Sequence, residues 1–318
     1  IRRPMKTPEA GTEVFDIAIT EAASSVDFVT SPEFPIDFMW TKTTDYSYFP
    51  YGLVRLLGQT YHEMGRTFNE QSTSAISFDY QNKIVSTGLG GVNSTVAGDA
   101  KENTSYLFKR ATGFFDVVAY TGTGSATTVT HNLGVAPELL IVRPRSLGNE
   151  SLTVWNKTIA DSNSAATLWL NSTSAVNNFS NRFNSTAPTD SVFSVADDTS
   201  TNGSSSTYVA FLFATLAGVS KVGSYSGTGS NINVDCGFSS GARMILIKRT
   251  DSTGSWYFWD SENGIVAGND PYWINNSSAA SVTTTDYIDP LSSGFTVTSS
   301  ASADINTSGG TYIFLAIA

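Results

Sequence analysis

Tyr120-Thr-Gly-Thr-Gly124 returns as Tyr225-Ser-Gly-Thr-Gly229, and Leu139-Leu-Ile-Val-Arg143 returns as Met244-Ile-Leu-Ile-Lys248. Both pairs are displaced by 105 positions (225 minus 120; 244 minus 139). Leu168-Trp-Leu-Asn171 then matches Tyr272-Trp-Ile-Asn275, and Thr207 to Ala214 matches Thr311 to Ala318, both at a displacement of 104 (272 minus 168; 311 minus 207). A register held within one residue over a whole unit marks a duplicated module. A unit of this length can close its own core, which the short repeats of solenoids cannot.

A more divergent copy precedes these two. Phe15-Asp-Ile-Ala-Ile19 reads against Phe115-Asp-Val-Val-Ala119, Asp37 to Lys42 against Glu138 to Arg143, and Tyr106-Leu-Phe-Lys109 against Tyr208 and the apolar residues after it. The expected organisation is a lead-in at 1–13 and three tandem modules at 14–111, 112–217 and 218–318. The aromatic stretch Tyr46 to Phe68 has no close match downstream.

Val117 to Tyr120, Glu138 to Arg143, Val192 to Val195 and Tyr208 to Phe213 are short runs rich in β-branched and aromatic residues, bounded by turn-forming residues. The last module repeats all four, at Val222 to Tyr225, Met244 to Lys248, Phe295 to Val297 and Tyr312 to Ile317. Strands at this density with no sustained helical period predict an all-β chain with little helix. Each module is expected to be an antiparallel β-sandwich of jelly-roll or concanavalin-like form. Leu139 to Val142 and Tyr208 to Phe213 are continuously apolar, as strands covered on both faces are. One helix is expected over Tyr51 to Met64, where Leu53, Leu56 and Leu57 fall at helical spacing despite Gly52 and Gly58.

Composition narrows the partners. A formal charge of -10 argues against nucleic acid, whose phosphates are bound by clustered Lys and Arg. The one basic cluster is Arg2-Arg3 with Lys6, in a Pro-containing lead-in that reads as a linker. No apolar run reaches membrane-spanning length, so no membrane insertion is expected. No signal peptide opens the chain, and Ile1 is read as a processed terminus or as the start of the ordered part of a longer protein. Charged residues are only 14 %, replaced by Ser, Thr, Asn and Gly. Such a surface suits an extracellular setting, a packed assembly or contact with sugars.

The search for chemistry finds no catalytic set. Cys236 is the single cysteine, which excludes an internal disulfide, and it reads as a small half-buried residue opposite Asn132 in the repeat. His131 reads as a turn residue replaced in the next module by Asp235, and His62 has no recognisable partner. No nucleophile elbow or zinc spacing is present. Gly122-Thr-Gly124 and Thr201-Asn-Gly203 read as turns, and the former lacks the third glycine and the following helix of a nucleotide loop. Asp197, Asp198 and Asp304 lie in loop-like segments as solvated acids, with weak structural calcium binding as the alternative. No other cofactor is expected.

Sugar rings stack on Trp and Tyr. Trp259 and Trp273 have repeat equivalents in Trp155 and Trp169 and are assigned to the scaffold. Trp256, Tyr257, Tyr46, Tyr48 and Tyr51 have none, and these are the candidates for a glycan or receptor contact.

At the junction of the first two modules stands Tyr106-Leu-Phe-Lys-Arg-Ala-Thr-Gly-Phe-Phe-Asp-Val-Val-Ala-Tyr-Thr-Gly-Thr-Gly124, followed by Val129-Thr-His-Asn-Leu-Gly-Val-Ala-Pro-Glu-Leu-Leu-Ile-Val-Arg143 and closed by Tyr208 to Ala214. This pattern resembles a repeat of tailed-bacteriophage virion proteins, above all tail-fibre and other adsorption-apparatus proteins of marine and cyanobacterial phages. The likeness is close over 105–215, good over 220–318 and faint over 14–104, and it departs at Cys236-Gly-Phe238. It implies a non-enzymatic, exposed virion component that forms a homotrimer, joins other virion proteins, and either contacts the host surface, with bacterial surface polysaccharide as the partner, or acts as a rigid spacer. A capsid decoration or head-fibre protein is the alternative, and a polysaccharide-depolymerising tailspike ranks below both.

Overall fold

The computed structural model describes residues 5–21, 25–31, 33–80, 82–87 and 102–318. Arg2 and Arg3 of the basic lead-in lie outside them. The chain is all-β, and among the described residues every strand pair is antiparallel. Among the described residues the α-helices are the short segments Lys157–Ser162, Thr199–Asn202 and Ala303–Asn306.

One strand order occurs three times. In the first stretch an opening strand, Phe15–Glu21, pairs along its length with the closing strand Glu102–Phe108. The closing strand's other edge takes the central strand Phe38–Thr43, and Tyr51–Val54, Thr60–Glu63 and Gln71–Ser72 follow. The second stretch repeats this with Phe115–Thr121, Thr207–Phe213, Leu139–Pro144, Thr153–Asn156, Ala166–Trp169 and Asn177–Asn178. The third uses Ser220–Ser226, Thr311–Ile317, Met244–Arg249, Trp256–Asp260 and Tyr272–Ile274. Each stretch also carries a smaller sheet, built on Val26–Val29, Thr127–Thr130 or Ile232–Asp235. The repeat read from sequence is therefore also a repeat of topology.

Both faces of each large sheet are covered, which the continuous apolar runs demand. One face packs within its own stretch: Met39 and Leu107 with Phe28, Leu140 and Trp155 with Phe193, Ile245 and Trp259 with Phe295. The alternate residues of all three sheets meet in a single shared cluster. It joins Phe38, Trp40 and Phe108 to Phe115, Ile141 and Phe211 and to Leu246, Phe258 and Trp273. Phe38 and Phe211 approach to 4.5 Å between ring centroids, and Trp40 and Phe258 to 5.0 Å. Each such side chain contributes about 1.5–3 kcal/mol when withdrawn from water. The stretches are therefore not independent beads along the chain, since each leaves an apolar face that only the other two cover.

The seams between stretches are built alike. Glu70 N–H donates to the Arg145 carbonyl at 2.8 Å, Val176 N–H to Thr250 at 3.0 Å, and Ser281 N–H to Thr44 at 2.6 Å. The acceptors follow the central-strand residues Arg143, Lys248 and Lys42, which face Val209, Ile313 and Thr104 of their closing strands and are equivalent. Each of these three cations is buried and donates across the same seam. Arg143 reaches the carbonyls of Arg66 and Phe68, Lys248 that of Thr173 at 3.2 Å, and Lys42 that of Ser278 at 3.0 Å. Phe68, Thr173 and Ser278 are spaced by 105 residues (173 minus 68; 278 minus 173). The second stretch thus grips the first, the third grips the second, and the first grips the third. A head-to-tail contact that closes after three steps is a ring.

At its centre the three equivalent residues Met64, Leu170 and Asn275 converge. Their amides donate to Pro50, Leu152 and Trp256 respectively. Asn275 is fully buried; its Nδ2 donates to the carbonyls of Met64 and Leu170 at 2.8 and 3.1 Å, and its Oδ1 accepts from the Trp40 indole at 3.1 Å. One side chain bonds all three stretches. The backbones approach closely here, since a β-carbon on Gly65 would lie 2.1 Å from the Asn275 carbonyl oxygen.

Several sequence expectations are corrected. The helix expected over Tyr51 to Met64 is absent: Tyr51–Val54 and Thr60–Glu63 are paired strands joined by a short 3-10 turn, Arg55–Leu57. Leu53 is drawn into the core of the first stretch while Leu56 is exposed, and Gly58 at φ 74° turns the chain back. Tertiary pairing overrides the local leucine spacing. Thr201-Asn-Gly203 is the end of the one-turn helix Thr199–Asn202, not a simple turn. Trp273 faces Phe258 as Leu168 faces Val154, so its counterpart is Leu168 and not Trp169.

Asn275→Leu, which installs the residue of the second stretch, leaves two buried carbonyls and the Trp40 indole unpaired. The expected loss is about 2–4 kcal/mol, read as a lower urea midpoint at unchanged slope. A loss below about 0.5 kcal/mol contradicts the central role of Asn275.

Candidate binding surface

The five aromatic candidates separate on burial. Trp256 is 2 % exposed, belongs to the shared core, and its indole donates to the Trp169 carbonyl across the seam at 2.9 Å. Tyr257 is buried, stacks on Trp259 at 5.7 Å, and donates its hydroxyl to Asp304 Oδ2 at 2.9 Å. Tyr51 is buried with its ring against Tyr61 at 5.1 Å. None of the three presents a face to a ligand, which corrects their assignment to a binding face. Trp256 lacks a repeat equivalent because Pro50 and Leu152 hold its position in the other stretches, where the seams pack differently.

Tyr46, 39 % exposed, and the half-buried Tyr48 remain, their rings 5.4 Å apart. They share a loop anchored from beneath, since the buried Lys42 ammonium donates to the Tyr48 carbonyl. One exposed and one half-buried ring on a held loop lose little conformational freedom on stacking with a ligand.

Two of the three acidic candidates, Asp198 and Asp304, are engaged in the fold. Asp197 is exposed, whereas Asp198 caps the helix Thr199–Asn202 by accepting from Ser200 N–H at 2.8 Å and lies 3.6 Å from Arg182. Asp304 accepts from Tyr257. Among the described residues no three His, Cys, Asp or Glu side chains come together in a group able to hold a metal ion.

His131 is a turn residue, with Nδ1 accepting from Leu133 N–H at 3.2 Å and Nε2 3.2 Å from the Thr189 carbonyl. Its structural counterpart is Cys236 and not Asp235, because Ser191 and Ser293 receive the equivalent amides. Cys236 is buried, and burial pushes its thiol up to about 12, so it stays protonated and unreactive. His62 is wholly buried with neither ring nitrogen hydrogen-bonded, 3.9 Å from Glu70 Oε2. Burial, then the charges of Arg143 and Arg145, hold its pKa well below the usual histidine range, so the ring is neutral.

The groups that sequence reasoning passed over are the seam cations. Burial pulls Lys42 down to about 7, Lys248 down to about 8 and Arg143 down to about 10. Their recurrence as the last polar residue of Met39 to Lys42, Leu139 to Arg143 and Met244 to Lys248 was the available signal. Two buried asparagines shape the Gly-Thr-Gly turns. Asn202 accepts from Thr123 N–H at 2.9 Å and donates to Ser125 O at 2.8 Å; Asn306 accepts from Thr228 N–H at 3.0 Å and donates to Ser230 O at 2.9 Å. These polar groups hold loops and seams by hydrogen bonding.

Residues 57–318 match the family model described as Domain of unknown function (DUF7483). No curated protein matches the chain.

Trp256→Ala is expected to cost about 3–5 kcal/mol, as removal of a buried aromatic does. Tyr46→Ala is expected to stay within about 0.5 kcal/mol of the parent. Thermal unfolding of both variants checks the division between interior and surface, and equal midpoints contradict it.

Proposed function

We propose that this chain, which belongs to the DUF7483 family through residues 57–318, is a non-catalytic structural component of a bacteriophage virion. It serves as a tail-fibre or tail-tip protein that extends from the particle and contacts the host surface. In this reading 14–111, 112–217 and 218–318 are three β-sandwich modules, each a large sheet over a small one. The observation that carries it is the threefold recurrence of one seam, in which buried cations and amides hold backbone carbonyls. Investment in rigid closure suits a part that transmits position. The likeness of residues 106–143 and 208–214 to phage virion repeats supplies the setting. The homotrimer and the joins to other virion proteins belong to the same proposal. Tyr46 and Tyr48 are the surface aromatics suited to bacterial polysaccharide.

The test is location. Antibody labelling of intact particles is expected to place the chain at the tail, and purified protein is expected to leave capsular polysaccharide undegraded. Label on the capsid supports a decoration or head-fibre protein, and absence from particles removes the virion reading altogether.

A further inference from the structure

The three seams agree in backbone and differ in filling. Between the first and second stretches, Glu70 and Arg145 share their backbone hydrogen bond and also a side-chain ion pair, with Arg145 Nη2 donating to Glu70 Oε1 at 3.1 Å. Between the second and third stretches the same two positions hold Val176 and Thr250. Two long charged side chains are thus exchanged for two short uncharged ones, and a cleft of about 560 Å³ lies there.

Its floor is aliphatic, from Ile159, Val176 and Ile313. Its rim carries the amides of Asn163 and Asn178 and the hydroxyls of Ser224 and Ser226. The one carboxylate in the lining, Asp251, is paired with Arg249 at 3.0 Å and accepts from Thr311 N–H at 3.0 Å. The cleft therefore presents no unpaired charge to an occupant. Its size is that of a small-molecule site. An apolar floor under groups that both donate and accept hydrogen bonds complements a molecule with one C–H face and a ring of hydroxyls.

We propose that this seam is a binding site for a neutral sugar unit. The host-surface reading above supplies only the source of that sugar, and binding in the cleft is independent of where the chain resides.

Saturation-transfer NMR on the full chain tests it with glucose, galactose and N-acetylglucosamine as probes and sialic acid as the charged comparison. Saturation is expected to reach at least one neutral sugar at millimolar concentration. Val176→Glu with Thr250→Arg rebuilds the ion pair of the first seam inside the cleft, and a loss of about tenfold or more in affinity is expected at an unchanged unfolding midpoint. Should that pair impair folding, Asn178→Ala at an exposed rim position replaces it, with weakened binding expected. The proposal is overturned when no neutral sugar receives saturation, when sialic acid alone does, or when the folded variant binds as the parent does. Virion labelling is a separate readout, so failure here leaves the particle assignment standing, and the converse holds.

Discussion

A sheet that is apolar on both faces must be covered twice, and this constraint organises the chain. The small sheet of each stretch covers one face. The other face has no partner within its own stretch and is covered by the equivalent faces of the other two. With three copies on one polypeptide the requirement closes on itself, and among the described residues the second apolar faces of the three large sheets meet in one cluster. A shared core of this kind couples the stretches more strongly than surface contact does, because opening any seam exposes aromatic area from all three.

Apolar packing alone does not set the register of the seams, and here the buried cations act. An ammonium or guanidinium removed from water is costly unless its protons are taken up, and Lys42, Arg143 and Lys248 meet carbonyls at equivalent places across each seam. A slip of one residue along the seam would leave the cation without acceptors and break the adjoining backbone hydrogen bond. Asn275 does the corresponding work at the centre, and it is the point where the symmetry is broken: Met64 and Leu170 offer only backbone where Asn275 offers a side chain. Broken equivalence recurs at the periphery, where the ion pair of Glu70 and Arg145 stands at the positions of Val176 and Thr250, which line the cleft.

Much of the fold was legible because the sequence repeats. The runs 139–143 and 244–248 are strands in the same place of the same sheet order, and their unbroken apolar character reflects cover on both sides. What lies on the second face was not legible, since a run of apolar residues states that it is buried but not against what. The same blindness misplaced Trp256, whose uniqueness in the repeat was read as exposure when it arose from a seam packed differently from its equivalents. The leucines at 53, 56 and 57 misled for a related reason, as strand pairing with Phe38–Thr43 outweighed their local spacing. Of the surface candidates, Tyr46 and Tyr48 remain at the surface, and the cleft was invisible because its lining comes from four separate segments, 158–178, 224–226, 250–251 and 311–313, that only the fold brings together.

The central claim is that three homologous stretches form one cooperative body through a shared core and a closed ring of seams. Scanning calorimetry of the full chain tests it most directly. The account predicts a single transition whose calorimetric and van't Hoff enthalpies agree, at roughly 220 kcal/mol near 60 °C for a chain of this length. Separable transitions, or a van't Hoff enthalpy near the roughly 75 kcal/mol of one stretch alone, would contradict it.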